Sequence, residues 1–297
     1  MAAKPDGMDE RAALSLLADE LAPAGDDAAV VDGRVLTTDM LHETTDFPDG
    51  TTRYTAGWRA VGASLSDVAA MGAEATAAVA VYAAPAFDAD ELLAFVRGAR
   101  EVCELTGARY VGGDLDEHRE FTVATTALGR TDDPVRRSGA RPGDRVCVTG
   151  TLGRSAAALE LFERGDRDRA NDLFRFEPRV AAGRAIAPHA TAMMDSSDGL
   201  ARSLHQLAEA SGCGFAIESD RVPVADPLAA VSTDADAALD SALTFGEDFE
   251  LVFSAPADAV GDVRTDAPVD VFELGEVVAD GVTVDGEPLA DEGYSHG

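Results

Sequence analysis

The chain has 297 residues, 46% of them hydrophobic, and carries 55 acidic against 24 basic side chains for a net charge of −31. That length excludes a lone small module and accommodates one large domain or two moderate ones, each with its own core. The charge excludes duplex DNA and an anionic membrane as partners, because both would repel it.

In chain order, the hydrophobic periodicity predicts a helix over residues 10–21, strands at 28–31 and 34–38, and a helix over 55–71. On that last helix Trp58, Val61, Leu65 and Val68 form a core face, with Ala60, Ala63, Ser64, Asp67 and Ala70 roughly opposite. This alanine-rich face is expected to pack closely in a dimer. A strand follows at 77–83, then a helix opened by Asp88 and Glu91 as a capping box and closed before Gly107. Tyr110-Val111 leads into Gly112-Gly113-Asp114, and 121–128 reads as another strand.

A turn cluster at Thr131-Asp-Asp-Pro134 marks a boundary, giving domains of 1–132 and 133–297. The second half starts afresh with strands at 145–149, 191–194, 215–218 and 249–253, helices at 155–163 and up to 211, and hairpin turns at Asp280-Gly281 and Asp285-Gly286. Strand and helix alternate throughout, which predicts two α/β domains of the α+β type.

The acid consists of 35 Asp and 20 Glu, and Lys4 is the sole lysine. Acid spread along the whole chain, with Arg in place of Lys, suits a protein working in molar salt, where short screening lengths tame self-repulsion. The alternative is an acidic interaction surface in ordinary salt. No apolar run approaches the roughly 20 residues of a membrane span, and the start lacks a signal-peptide pattern, so a cytoplasmic location is expected. Cys103, Cys147 and Cys213 are too scattered for a disulfide framework or a zinc knuckle.

A single lysine at position 4 also excludes a Walker loop and the strand lysine of protein kinases. Gly150-x-x-Gly153 reads as a tight turn between strand and helix, with phosphate binding at the helix start as the sharper alternative. The stronger signal is a set of carboxylates that interrupt apolar stretches: Asp26-Asp27, Asp39, Asp67, Asp114, Asp195 with Asp198, and Glu247-Asp248. A carboxylate there is costly unless a cation or hydrogen bonds compensate it, and the neighbouring Ser, Thr and Gly supply hard oxygen ligands and close backbone approach. Together they suggest a Mg²⁺ site that clamps polyphosphate.

Seven segments then carry a resemblance. Gly25-Asp-Asp-Ala-Ala-Val30, Thr37-Thr-Asp-Met40, Leu65-Ser-Asp-Val-Ala-Ala-Met-Gly-Ala73, Val111-Gly-Gly-Asp114, Arg137-Ser-Gly-Ala-Arg-Pro-Gly-Asp144, Asp195-Ser-Ser-Asp-Gly-Leu200 and Phe245-Gly-Glu-Asp-Phe-Glu-Leu251 stand in the order found in thiamine-monophosphate kinases. The resemblance implies the two-domain aminoimidazole ribonucleotide synthetase-like fold, a homodimer paired through N-terminal sheets, and an α/β C-terminal domain. It implies transfer of the γ-phosphoryl group of ATP to thiamine monophosphate, with several magnesium ions and potassium as a further candidate ion. Carried over, Asp27, Thr37, Thr38, Asp39, Asp67, Asp114, Asp195 and Asp198 look like magnesium ligands. Gly113, Asp114, Arg137 and Ser197 resemble ATP contacts; Asp46, Glu247 and Tyr294 fall at substrate positions. No side chain is assigned as a catalytic base, because the nucleophile is an ionised phosphate oxygen.

The chain departs from the family pattern in three places. Asp46 stands where the family often has His, Leu115-Asp116-Glu117 replaces Thr-x-Arg, and Ser64 replaces Asn. The alternatives are another phosphoryl transferase of the superfamily and a non-catalytic cation-binding protein. Selenophosphate synthetase would need an N-terminal reactive Cys, and the hydrogenase maturation member a C-terminal one.

Overall fold

The structure is a computed structural model that describes residues 17, 21 and 25–293. Apart from Leu17 and Leu21, the helix expected over 10–21 lies outside the described residues, as does Tyr294.

The first half contains β1 (Ala29–Val31), β2 (Arg34–His42), the one-turn α1 (Glu43–Asp46), α2 (Arg53–Ala70), β3 (Glu74–Ala84), α3 (Ala89–Thr106), β4 (Arg109–Glu117) and β5 (Thr122–Arg130). The strands form one sheet in the order β1-β2-β5-β3-β4, antiparallel except between β3 and β4. Alternation along each strand sorts its side chains between two faces. On β2, Val35, Thr37 and Leu41 are buried while Leu36, Thr38 and Met40 are exposed. The packed helices α2 and α3 back the buried face. The opposite face stays open and shows Leu36, Met40, Val79 and Val81.

The helix limits follow from local chemistry. The Thr52 hydroxyl accepts from the Thr55 N–H to start α2; the Asp88 carboxylate accepts from the N–H groups of Asp90 and Glu91 to start α3, which stops at left-handed Gly107. The two helices cross in backbone contact, since a Cβ at Gly57 would overlap the Phe95 carbonyl and one at Gly98 the Tyr54 carbonyl.

The second half contains β6 (Arg145–Thr149), α4 (Arg154–Glu163), α5 (Arg167–Phe174), α6 (Val180–Ile186), β7 (Ala192–Asp195), α7 (Leu200–Ser211), β8 (Gly214–Ile217), α8 (Asp226–Val231), α9 (Ala235–Thr244), β9 (Leu251–Ala255), α10 (Val260–Asp266), β10 (Val271–Val278), β11 (Val282–Val284) and β12 (Glu287–Pro288). Its sheet runs β12-β11-β8-β10-β6-β9-β7. Both faces are covered. Cys147, Met193, Leu251 and Phe253 point into a core continuous with the first half, and their neighbours Val146, Val148, Met194 and Val252 into a second core.

Three expectations need correction. The alanine-rich face of α2 is not a dimer surface: Ala60, Ala63, Ser64 and Ala70 are all buried within the chain, because α2 is enclosed by β2, β5, α3, α6 and β7. Asp39 and Asp114 do not end their strands, which run on to His42 and Glu117. Asp280-Gly281 joins no paired strands, since β8 lies between β10 and β11, whereas Asp285-Gly286 does turn β11 into β12. In addition, the strand expected at 249–253 starts only at Leu251, after Phe249 in a left-handed conformation.

Candidate active site

Three chain-distant carboxylates meet where the two halves join. Asp27 precedes β1, Asp67 sits in the last turn of α2 and Asp195 ends β7, yet an oxygen of each lies within 4.8 Å of the others. Hydroxyls frame the group: Thr37 donates to Asp67 at 2.5 Å, and Ser64, one turn earlier on α2, donates to Asp39 at 2.5 Å while touching Thr125 at 2.7 Å. Ser64 thus occupies its non-family identity with a direct hydrogen bond to a site carboxylate.

Burial raises Asp67 well above the usual carboxylate range, and the charges of Asp39, Asp195 and Asp27 push it further. Its place at the negative end of α2 adds to the cost. Burial and the Asp27 charge raise Asp195 to about 8, and burial raises Asp39 despite the Ser64 hydrogen bond. Arg137 faces the group, holding Asp27 through Nη2 at 3.0 Å and Nε at 3.3 Å. Burial opposes its charge, but Asp27, Asp195 and Asp67 outweigh burial and keep it protonated. One guanidinium against several buried carboxylates leaves excess negative charge, and an all-oxygen donor set fits magnesium rather than a thiol-seeking metal.

The AIR synthase related protein models match this chain, the N-terminal domain over residues 25–131 and the C-terminal domain over 141–286. A thiamine-monophosphate kinase of Halobacterium salinarum is 64% identical over 97% of this chain and all of that protein. The chain belongs to the thiamine-monophosphate kinase family. A second relative, the thiamine-monophosphate kinase of Methanospirillum hungatei, is 42% identical over 88% of each chain. Among solved structures, AaThiL complexed with AMPPCP and TMP superposes with a TM-score of 0.89 at 29% identity, covering 98% of this chain and 99% of that one. The HypE–HypF complex, at 19% identity and a TM-score of 0.73, shares the fold alone.

Not every residue expected from the thiamine-monophosphate kinase pattern reaches the cluster. Asp39, Asp67 and Asp114 were expected to converge; Asp39 and Asp67 do, but Asp114 does not. In register Asp114 pairs with Val81, Val81 with Ala124, and Ala124 with Met40. It therefore lies three strand spacings from β2, about 14 Å, at the outer edge of the sheet. Thr38 is exposed on the opposite side of β2 from Thr37, and its hydroxyl donates to the Thr125 carbonyl. Asp198 stands in the turn after β7, outside the three-carboxylate group. Ser197 in the same turn accepts the Glu247 N–H on its carbonyl at 2.6 Å.

Beside the cluster opens a cavity of about 920 Å³. The segment 43–49 forms one wall, including Asp46, whose carboxylate accepts from the His42 N–H and the Thr45 hydroxyl. Phe162, Arg167, Phe174, Phe245 and Glu247 contribute from the second half. Glu247 in the cavity wall donates its N–H to the Ser197 carbonyl, two residues after Asp195, so cavity and cluster adjoin.

Sequence reasoning missed what holds the Glu247-to-Glu250 segment. Arg59 is 1% exposed and donates to the Glu247 carboxylate at 2.5 Å. Arg179 grips Glu250 with two nitrogens, at 2.8 and 2.6 Å. The Asp248 carboxylate accepts from the backbone N–H groups of Gly153 and Ser155, and burial raises it to about 7 despite those bonds. That carboxylate fills the start of α4, so the Gly150-x-x-Gly153 turn is a tight strand-to-helix connection and not a phosphate cradle. The one available signal was Arg59 itself, an arginine between Trp58 and a run of small apolar residues.

Proposed function

We infer that this protein transfers the γ-phosphoryl group of ATP to thiamine monophosphate, forming thiamine diphosphate and ADP. The observation that carries the reading is the meeting of Asp27, Asp67 and Asp195 beside Arg137, next to an acid-walled cavity. The relatives named thiamine-monophosphate kinase and the ThiL structure holding AMPPCP and TMP support it.

Asp27, Asp67 and Asp195 would hold magnesium together with Asp39 and Thr37, and Asp198 through water. Bound magnesium neutralises charge on the phosphates. The attacking atom is a phosphate oxygen that is ionised near neutral pH, so the protein's task is alignment and charge neutralisation without a general base. Glu247 and Asp46 face the cationic acceptor across the cavity, with Tyr294 as the aromatic partner of its ring. Arg137 and Ser197 serve the ATP phosphates.

The apolar cleft beside Gly113, about 440 Å³ and lined by Tyr82, Leu92, Phe95, Val96 and Tyr110, suits the adenine base. It lies at the β4 edge of the sheet, opposite the β1 edge where Asp27 stands. A homodimer that covers the open sheet face would bring Gly113, Asp114 and Thr38 to the partner's cluster, reconciling the separation within one chain. We place the enzyme in the cytoplasm of a halophile, with potassium as a further candidate ion.

An assay with MgATP in molar KCl tests the reading. Thiamine monophosphate should yield thiamine diphosphate and ADP, whereas free thiamine should not react, because an alcohol needs a base to take its proton. Turnover of thiamine, or ATP hydrolysis indifferent to thiamine monophosphate, would refute it.

A further inference from the structure

Glu247 is 8% exposed, lines the large cavity and holds a left-handed backbone, φ 71°, although it is not glycine. Such a conformation persists only where the surroundings enforce it. Three groups do so here. The Glu247 N–H donates to the Ser197 carbonyl, and the Glu247 carbonyl accepts from Ser155 Oγ at 2.6 Å and from Arg59 Nη2 at 3.0 Å.

Arg59 differs from the other two in also holding the side chain. The same Nη2 reaches the Glu247 carboxylate, and Nη1 donates to the Phe174 carbonyl at 2.6 Å, fixing the guanidinium plane. That plane lies 3.7 Å over the Phe174 ring, with the stacked rings of Phe176 and Phe249 nearby. The arginine comes from α2 in the first half and its target from the second, 188 residues away. Both Glu247 and Phe174 belong to the cavity wall. A guanidinium is suited to this task because its planar fork can bind a carboxylate, two carbonyls and a ring face together.

We propose that Arg59 is a positioning residue for the phosphoryl acceptor: it fixes the Glu247 carboxylate at the cavity wall and ties that wall to the helix that carries Asp67. This rests on the reading of Glu247 as an acceptor contact. Arg59 touches neither reactant. Its removal should leave ATP recognition intact and release Glu247 to other rotamers, weakening acceptor binding.

The test is a double-mutant cycle in the full chain in molar KCl, reading KM for thiamine monophosphate and for ATP separately. Glu247→Gln should raise KM for thiamine monophosphate about tenfold, and Arg59→Met should do the same with KM for ATP within about twofold. The double variant should be no more than about twofold worse than the poorer single one, because both act through one contact. Arg59→Lys, which keeps the charge but loses the planar fork, should recover only part of the loss, whereas a packing role alone would be met by Met. Should Arg59→Met fail to fold, Ser155→Ala, which removes the other donor to the Glu247 carbonyl, should raise KM for thiamine monophosphate about threefold at unchanged KM for ATP. A normal KM in Glu247→Gln would overturn the acceptor reading and this proposal with it. A raised KM there, with additive effects, an unaffected Arg59→Met, or an unaffected Ser155→Ala, would overturn the proposal alone.

Discussion

Thr37 donates its hydroxyl to Asp67 at 2.5 Å, so that β2 and the last turn of α2 share one acidic corner, with Asp27 and Asp195 completing it. Asp67 bears the repulsion of three other carboxylates, Asp39, Asp195 and Asp27. Asp67→Asn should therefore lose turnover by about 10² or more, while the metal-free protein melts no lower than the parent. Activity close to the parent in a folded variant would remove Asp67 from the magnesium site.

Magnesium binding should depend on pH. Asp195 is raised to about 8 without metal, chiefly by burial and by Asp27. A carboxyl raised in the folded state favours the fold while protonated, a contribution that is full at low pH and is lost as pH rises through about 8. Metal needs the ionised form, so apparent Mg²⁺ affinity should fall by up to about tenfold per pH unit below 8. Melting temperatures with EDTA and with MgCl₂ should diverge from pH 6 to pH 9. A constant gap would place the metal elsewhere.

The open sheet face carries the oligomer prediction. Leu36, Met40, Val79 and Val81 are exposed on it, and Asp114 shares their register. On the proposed homodimer, Val81→Asp should convert a dimer into a monomer by light scattering in molar KCl and abolish turnover, because the Asp114 edge would no longer reach a second chain's cluster. A monomeric parent with full activity would contradict the arrangement.

The α2–α3 crossing sets a stability prediction independent of function. A Cβ on Gly98 would overlap the Tyr54 carbonyl, and backbone cannot move aside as a flexible side chain can. Gly98→Ala should cost about 1–3 kcal/mol by denaturant unfolding, typical of overpacking. An unchanged midpoint would show that the helices can separate freely.

Much of this protein was legible in the amino-acid order itself. Strand and helix alternation, the Asp88 helix start and the stop at Gly107 depend on neighbouring residues, and local chemistry decides them; sequence reasoning missed the cap at Thr52, three residues before the expected start of α2. The ordered acidic segments likewise carried the expectation of a metal and phosphate site, because a carboxylate inside an apolar stretch is costly wherever the chain later places it. What sequence order does not contain is which of those segments meet. Asp27, Asp67 and Asp195 converge because α2 lies between the two sheets, while Asp114, in an equally suggestive motif, is carried to the far edge by the strand order. Enclosure of α2 likewise buried the alanine face that periodicity alone leaves free for a partner, and brought Arg59 to Glu247 across 188 residues. Periodicity reports which side of an element is apolar; only packing decides what that side touches.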